Sequence, residues 1–198
     1  MIRRVLSGVL AAMLGSAALW HATDGLRAFT SERARAIDVS DRPRDIPDAP
    51  LQLATGGSAR LSDLKGRPVV VTFIYTRCTS LCPMLTARLA ELRDELAEDT
   101  AGLDVHFVSI SFDPDHDGQA ELAGYAAQLS ASADRWWVAR PSSGLDQLLD
   151  AFGIIAIPDG RGGYIHNGGL HVIDRKGRLV AIYDEQRPAE IVEALKRM

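Results

Sequence analysis

Pro68-Val69-Val70-Val71-Thr72-Phe73-Ile74-Tyr75-Thr76-Arg77-Cys78-Thr79-Ser80-Leu81-Cys82-Pro83 runs from a continuous β-branched and aromatic segment into a polar turn. Val69 to Tyr75, bounded by Gly66 and Cys78, reads as a strand buried on both faces. After Cys82, Pro83 fits the first position of a helix, and Leu85, Leu89, Leu92 and Leu96 follow at helical spacing. Cys78 and Cys82 are the only cysteines of the 198-residue chain, and they stand together on this strand-to-helix turn.

Upstream, the short, alternating and glycine-containing segment from Leu51 to Lys65 predicts a small hairpin. Downstream, Val105 to Ser111 predicts a strand, Gly118 to Leu129 a helix, Trp136 to Val138 a strand and Leu145 to Phe152 a short helix. A hairpin is expected from Tyr164-Ile165 and Leu170 to Ile173, through Asp174-Arg175-Lys176-Gly177, to Leu179–Tyr183. Pro188 then opens a last helix with Ile191, Val192 and Leu195 as its buried stripe. Crossover helices require parallel neighbours and the hairpin requires an antiparallel pair. The expected fold is therefore α/β, with a mixed central sheet and flanking helices, and the cysteine pair at the end of the first long strand makes it thioredoxin-like.

The amino terminus differs in kind. Arg3 and Arg4 precede an uncharged run from Val5 to Trp20, the order of an export signal or membrane anchor. At 1.5 Å per residue the run spans about 24 Å, short for a bilayer core of about 30 Å but ample for a signal. Gly15-Ser16-Ala17-Ala18 suits signal peptidase, whereas Trp20 suits a membrane interface. Residues 1–22 are thus read as a signal peptide or single anchor and residues 23–48 as a tether, with Pro43 and Pro47 and no sustained period. Residues 49–198 form the domain. Export would place it in a bacterial periplasm, tethered to the inner membrane or, after cleavage, soluble.

Charge and composition narrow the function. The first 44 residues carry 7 Arg against 4 acids, a net +3, which leaves 15 basic and 22 acidic residues, a net −7, for the rest. An acidic domain lacks the basic face that nucleic acid requires. Two cysteines exclude a disulfide scaffold and an all-cysteine zinc site. At a helix amino terminus, free amide donors and the positive dipole end favour thiolate. A four-residue step across a turn can bring two sulfurs close enough to bond or to hold one soft metal ion. A purely structural bridge closing so small a loop would remove little chain entropy.

A metal needs a further ligand, and the five histidines differ in their setting. His21 lies in the leader and tether region. His106 lies within an apolar strand, where a packed ring is the simpler reading. His116 sits in Asp113-Pro114-Asp115-His116-Asp117, where the acids fit a turn and a helix cap. His166 and His171 fall on one predicted strand at an odd separation, which would point them to opposite faces. His166, beside Asn167-Gly168-Gly169, is placed where a loop can lean over the cysteines; His171, among Leu170, Val172 and Ile173, reads as structural. Position alone leaves the role of His166 open. Two thiolates and an imidazole would suit copper, Cu(I) or Cu(II), whereas zinc would want a fourth ligand.

Three segments together resemble the Sco/SenC family, membrane-tethered thioredoxin-fold proteins tied to copper delivery for the CuA centre of cytochrome c oxidase. They are Phe73 to Arg77 with Cys78, Cys82 and Pro83; Val108 to Asp117; and His166 followed by Asp174 and Gly177. The resemblance covers residues 50–198 and implies Cys78, Cys82 and His166 as copper ligands, with Asp113 behind them. It also implies partners, namely the oxidase subunit that carries CuA or another periplasmic copper chaperone. The chain departs from many members in Thr79-Ser80-Leu81 between the cysteines and in His171, where an aromatic residue often precedes the aspartate turn.

Two rival functions are carried by the same residues. A thiol–disulfide reductase would use one cysteine to attack a partner's disulfide and the other to resolve the mixed disulfide. Thioredoxin-like reductases usually set a cis-proline opposite the cysteines, yet Ile165-His166-Asn167-Gly168-Gly169 contains no proline. A peroxiredoxin-like peroxidase would want threonine and proline three and seven residues before its cysteine, where this chain has Tyr75 and Val71.

Overall fold

The run Val69–Ile74 is a strand in which every residue is buried, and it lies inside an eight-stranded sheet. The structure, a computed structural model, describes residues 2–98, 103–131, 134–184 and 188–198. In chain order the helices are α1 (Ile2–Ala22), α2 (Ser31–Asp41), α3 (Leu81–Glu98), α4 (Gln119–Gln128), α5 (Leu145–Phe152) and α6 (Pro188–Lys196). The strands are β1 (Arg44–Asp45), β2 (Pro50–Leu53), β3 (Ser58–Arg60), β4 (Val69–Ile74), β5 (His106–Ser111), β6 (Trp136–Pro141), β7 (Ala156–Pro158), β8 (Tyr164–His166), β9 (Leu170–Ile173) and β10 (Arg178–Tyr183). A single helical turn, Leu61–Leu64, follows β3.

The main sheet runs β1-β10-β9-β4-β5-β6-β2-β3, and β7 and β8 form a separate two-stranded ribbon. β4, β5 and β6 are parallel, with Val69 opposite His106 and Ser109 opposite Val138. β9 joins β4 antiparallel, with Val71 opposite His171, and the hairpins β9–β10 and β2–β3 complete the mixed sheet. The expected thioredoxin-like α/β architecture is present.

Strand alternation divides the core in two. Val69, Val71 and Phe73 point to the face covered by Val39 of α2 and by Leu148 and Phe152 of α5. Val70, Phe107 and Trp136 point to the face covered by Leu85, Leu89, Leu92 and Leu96 of α3 and by Ile191 and Leu195 of α6. α5 ends in a Schellman motif: Gly153 has φ of +65°, and Ile154 N–H bonds back to Leu149 O.

Three expectations are modified. First, α3 begins at Leu81, so Cys82 belongs to its first turn instead of preceding it. The backbone N–H of Cys82 donates to Cys78 Sγ at 3.4 Å, which supplies a partner for a helix-start amide and lets the helix begin earlier. Second, His166 and His171 do not share a strand. β8 stops at His166, the chain bends through Gly169 at φ of +138°, and β9 restarts at Leu170. The parity argument therefore does not apply. Third, the segment read as tether carries α2, capped by the Thr30 hydroxyl accepting from Arg33 N–H, and it packs along β10. α2 buries only Ile37 and Val39, too few to create a visible stripe.

α1 contains none of the buried residues and is long and apolar enough to cross a membrane by length and composition. Its 21 residues extend past the apolar run at both ends and give about 31 Å, against a bilayer core of about 30 Å.

Candidate metal centre

The β4–α3 turn and the end of β8 bring Cys78, Cys82 and His166 together, with their ligand atoms all within 4.8 Å of one another. His166 Nε2 lies 3.8 Å from Cys78 Sγ and 3.9 Å from Cys82 Sγ. The opposite ring nitrogen, Nδ1, is 2.8 Å from the carbonyl oxygen of Asn167. A carbonyl only accepts, so Nδ1 carries the hydrogen, and in the neutral ring the Nε2 lone pair faces the two sulfurs. The ring is held edge-on by Tyr75 and Phe112, at 5.6 and 5.2 Å between centroids.

Both cysteines are free and buried, and their electrostatic settings are opposed. Burial pushes the Cys78 thiol up, but hydrogen bonds from the Cys82 thiol and amide and from the Ser80 amide, with the His166 ring beside them, outweigh it and bring Cys78 down to about 6. Burial raises Cys82, and the neighbouring Cys78 charge raises it further. The pair therefore presents one ready thiolate and one protected thiol.

Two buried carboxylates brace the site. Asp117 Oδ1 accepts from the Thr76 hydroxyl at 2.6 Å, and its Oδ2 accepts from Thr76 N–H at 3.0 Å and Ser111 Oγ at 2.5 Å, fixing the exit of β4. Asp113 accepts from Arg77 Nη2 at 2.7 Å, from the Tyr164 hydroxyl at 3.1 Å and from His116 Nδ1 at 2.9 Å. Arg77 adjoins Cys78 and Tyr164 lies two residues before His166, so Asp113 ties the cysteine turn to the strand that carries the histidine. Burial acts to raise Asp113, but its three donors outweigh burial and leave it lowered. The Asp113–Asp117 loop thus does more than the turn and cap read from sequence.

The remaining histidines stand apart. His171 is buried among Phe73 and Phe152, donates from Nδ1 to Val71 O at 3.2 Å and accepts at Nε2 from Arg35 at 3.3 Å. Burial, then the Arg35 charge, lowers it to about 3, so it is a neutral structural ring. His106 is buried edge-on to Trp137, and burial lowers it to about 4. The sequence reads Asp117 only as a turn or cap acid, two residues before a helix, and carries no signal for Arg35.

The donor set fits one soft ion. With bonds of about 2.3 Å to sulfur and about 2.0 Å to nitrogen, three-coordination at about 120° separates nitrogen from sulfur by about 3.7 Å. The observed separations of 3.8 and 3.9 Å come close to this before any ligand moves. Fold and site together define a thioredoxin-like protein whose paired cysteines, at a strand-to-helix turn, face a histidine. The sequence model of the SCO1/SenC family matches residues 48–198, and the chain belongs to that family.

Among its relatives is the SCO1 protein homolog of Bacillus subtilis, 29% identical over 133 residues that make up 65% of this chain and 68% of that protein. The solved structure of BsSco, described as a disulfide switch in a member of the Sco family of cytochrome c oxidase assembly proteins, has a TM-score of 0.67 and 25% identity, and the match covers 78% of this chain and 93% of that chain. ScoI of Bradyrhizobium japonicum, solved with copper bound, has a TM-score of 0.62 and 23% identity over 77% of this chain and 98% of that one, a likeness of fold.

Proposed function

We propose that this protein binds copper through Cys78, Cys82 and His166 and delivers it to the CuA-bearing subunit of cytochrome c oxidase or to another copper chaperone. The observation that carries the reading is the triangle that His166 Nε2 makes with the two sulfurs, at 3.8 and 3.9 Å from them. Two thiolates and an imidazole are donors suited to Cu(I) and tolerated by Cu(II). The family relatives that bind copper or assemble the oxidase support the cargo and the destination. α1 supports a membrane anchor facing an exported compartment, the periplasm, from which the domain would reach a membrane-bound acceptor.

A second reading rests on the unequal cysteines. Cys78, at about 6, is a thiolate at neutral pH, and a neighbouring protonated Cys82 is the arrangement by which a dithiol attacks and then resolves a disulfide. In that reading the protein reduces the cysteines of its copper-site partner.

Copper titration of the reduced full-length protein in detergent separates the two. The metal-binding reading expects one copper per chain, and His166→Ala losing affinity and changing the Cu(II)–thiolate spectrum. Unchanged affinity and spectrum in His166→Ala would remove the ligand assignment. Absence of copper binding with rapid reduction of a model protein disulfide would establish the reductase reading instead.

A further inference from the structure

α2 lies before residue 48, outside the stretch that the SCO1/SenC family model matches, yet it reaches the loop beside His166. Arg35 is the contact. Its side chain is 13% exposed, and its guanidinium donates from Nη1 to Phe152 O at 3.1 Å, Gly153 O at 3.2 Å and His171 Nε2 at 3.3 Å, and from Nη2 to Gly168 O. Gly153 makes the approach feasible, because a Cβ there would stand 2.8 Å from Arg35 Cδ.

One turn earlier on the same helix, Glu32 accepts from Asn167 Nδ2 at 3.3 Å and pairs with Arg35. Asn167 is further pinned by Nδ2 to Gly153 O at 3.0 Å, and its Oδ1 accepts from Ile155 N–H at 2.8 Å. These contacts hold the peptide whose carbonyl accepts from His166 Nδ1 at 2.8 Å. A cavity of about 890 Å³, lined by Arg35, Leu81, His166, Asn167 and Gly168 among others, borders the loop on this side. The loop is therefore supported there by the Arg35 fork rather than by filled core.

We propose that Arg35 is a positioning residue for the metal site: its guanidinium fork fixes Asn167-Gly168, and through the Asn167 carbonyl it sets the tautomer and aim of the His166 ring. The inference deepens the copper-binding reading and rests on it. The chemistry requires arginine. Four acceptors spread over three chain segments are spanned by a planar fork with five donors, and a lysine ammonium acts as a point charge that cannot bridge them. Residues that orient a ligating histidine through its second ring nitrogen typically change metal affinity 10–100-fold when removed.

The test uses the full-length protein in detergent, with Arg35→Ala and Arg35→Lys as variants. Arg35→Lys keeps the charge and carries the test should Arg35→Ala not fold. Two quantities are read: Cu(I) affinity by competition with a chromophoric chelator, and the ¹⁵N signals of the His166 ring in the metal-free protein. The expected result is an affinity lowered about 10-fold in both variants, with ring signals moving from a single Nδ1–H tautomer toward a mixture. Wild-type affinity and ring signals in a folded variant would overturn the proposal and leave Arg35 a structural residue. Should the unsubstituted protein bind no copper, the copper reading fails, and the metal-free ring signals still decide the role of Arg35.

Discussion

The unequal cysteines give the most direct measurement of whether the site works as built. Burial raises Cys78, and the hydrogen bonds from Cys82 and the Ser80 amide, with the His166 ring, outweigh it, bringing the thiol from 9.0 to about 6, while burial and the Cys78 charge raise Cys82. At pH 7 a thiol with a pKa of 9.0 is about 1% ionised and one at about 6 is about 90% ionised, a gain of about 90-fold in thiolate. Intrinsic nucleophilicity falls with pKa at a Brønsted slope of about 0.45, which costs about 20-fold over three pH units. The net gain in rate is only about 4-fold. Absolute reactivity therefore discriminates poorly, and the position of the titration discriminates well.

The assay is the ultraviolet thiolate absorbance of the reduced, metal-stripped full-length protein, followed from about pH 4 to about pH 10 and differenced against Cys78→Ser. It requires no reagent to reach the buried sulfur. One thiolate is expected to appear with a midpoint near 6, and none from Cys82 below about pH 10. His166→Ala leaves the Cys82 amide donating to Cys78 Sγ at 3.4 Å, so the midpoint stays well below 9.0. A wild-type midpoint at 8 or above, or two thiolates titrating together, would refute the argument that hydrogen bonds outweigh burial at Cys78.

Other measurements follow from the same geometry. Cu(I) binding at about pH 8 releases about one proton, from Cys82 alone, where two ordinary thiols would release nearly two; calorimetry in buffers of different ionisation enthalpy counts them. Asp113→Asn weakens the Arg77 and Tyr164 contacts that join the cysteine turn to β8, and is expected to cost about 1–3 kcal/mol in denaturant titration and to lower copper affinity about 10-fold. Gly168→Ala would set a Cβ 2.8 Å from Leu85 Cδ1 and 3.0 Å from Leu81 Cδ2, and the overpacking is expected to cost about 1–3 kcal/mol by thermal or chemical unfolding. Buried His106 and His171 are lowered to about 4 and about 3 from 6.5, so the unfolded chain takes up protons that the folded one refuses; stability is full above 6.5 and falls toward those values. At pH 5 each costs about 2 kcal/mol, and His106→Leu is expected to remove its share of the acid slope measured in denaturant titrations.

How much of this was legible in the sequence depended on which force made each element. β4 was plain because burial on both faces demands an uninterrupted apolar run, and α3 was plain because Leu85, Leu89, Leu92 and Leu96 all face one side. The cysteine turn and its histidine were legible as a resemblance, and the structure brings the three side chains together. The rest depends on hydrogen bonds, which leave no period. α2 is held by Arg35 donating to carbonyls and by two buried side chains, and such a helix reads as a charged linker. Asp117 resembles any acid in a turn until Thr76 and Ser111 are seen donating to it. Alternation would set His166 and His171 on opposite faces of one strand, but the bend at Gly169 divides that strand in two.

The three side chains proposed as ligands are supported unequally, and under the proposed function that bears on how copper would leave. Cys78 and Cys82 are rooted where β4 meets α3, against both the buried core and the Asp117 clamp. His166 is half-buried, ends a three-residue strand outside the main sheet, and is fixed by Asn167, Asp113 through Tyr164, and the α2 clasp. Moving the cysteines disturbs the core; moving His166 exchanges a few hydrogen bonds, each worth about 1 kcal/mol net. In a site that exchanges copper, the imidazole is therefore the ligand that yields first. The two sulfurs would remain to hold the ion while an acceptor's donor takes the place that Nε2 vacates.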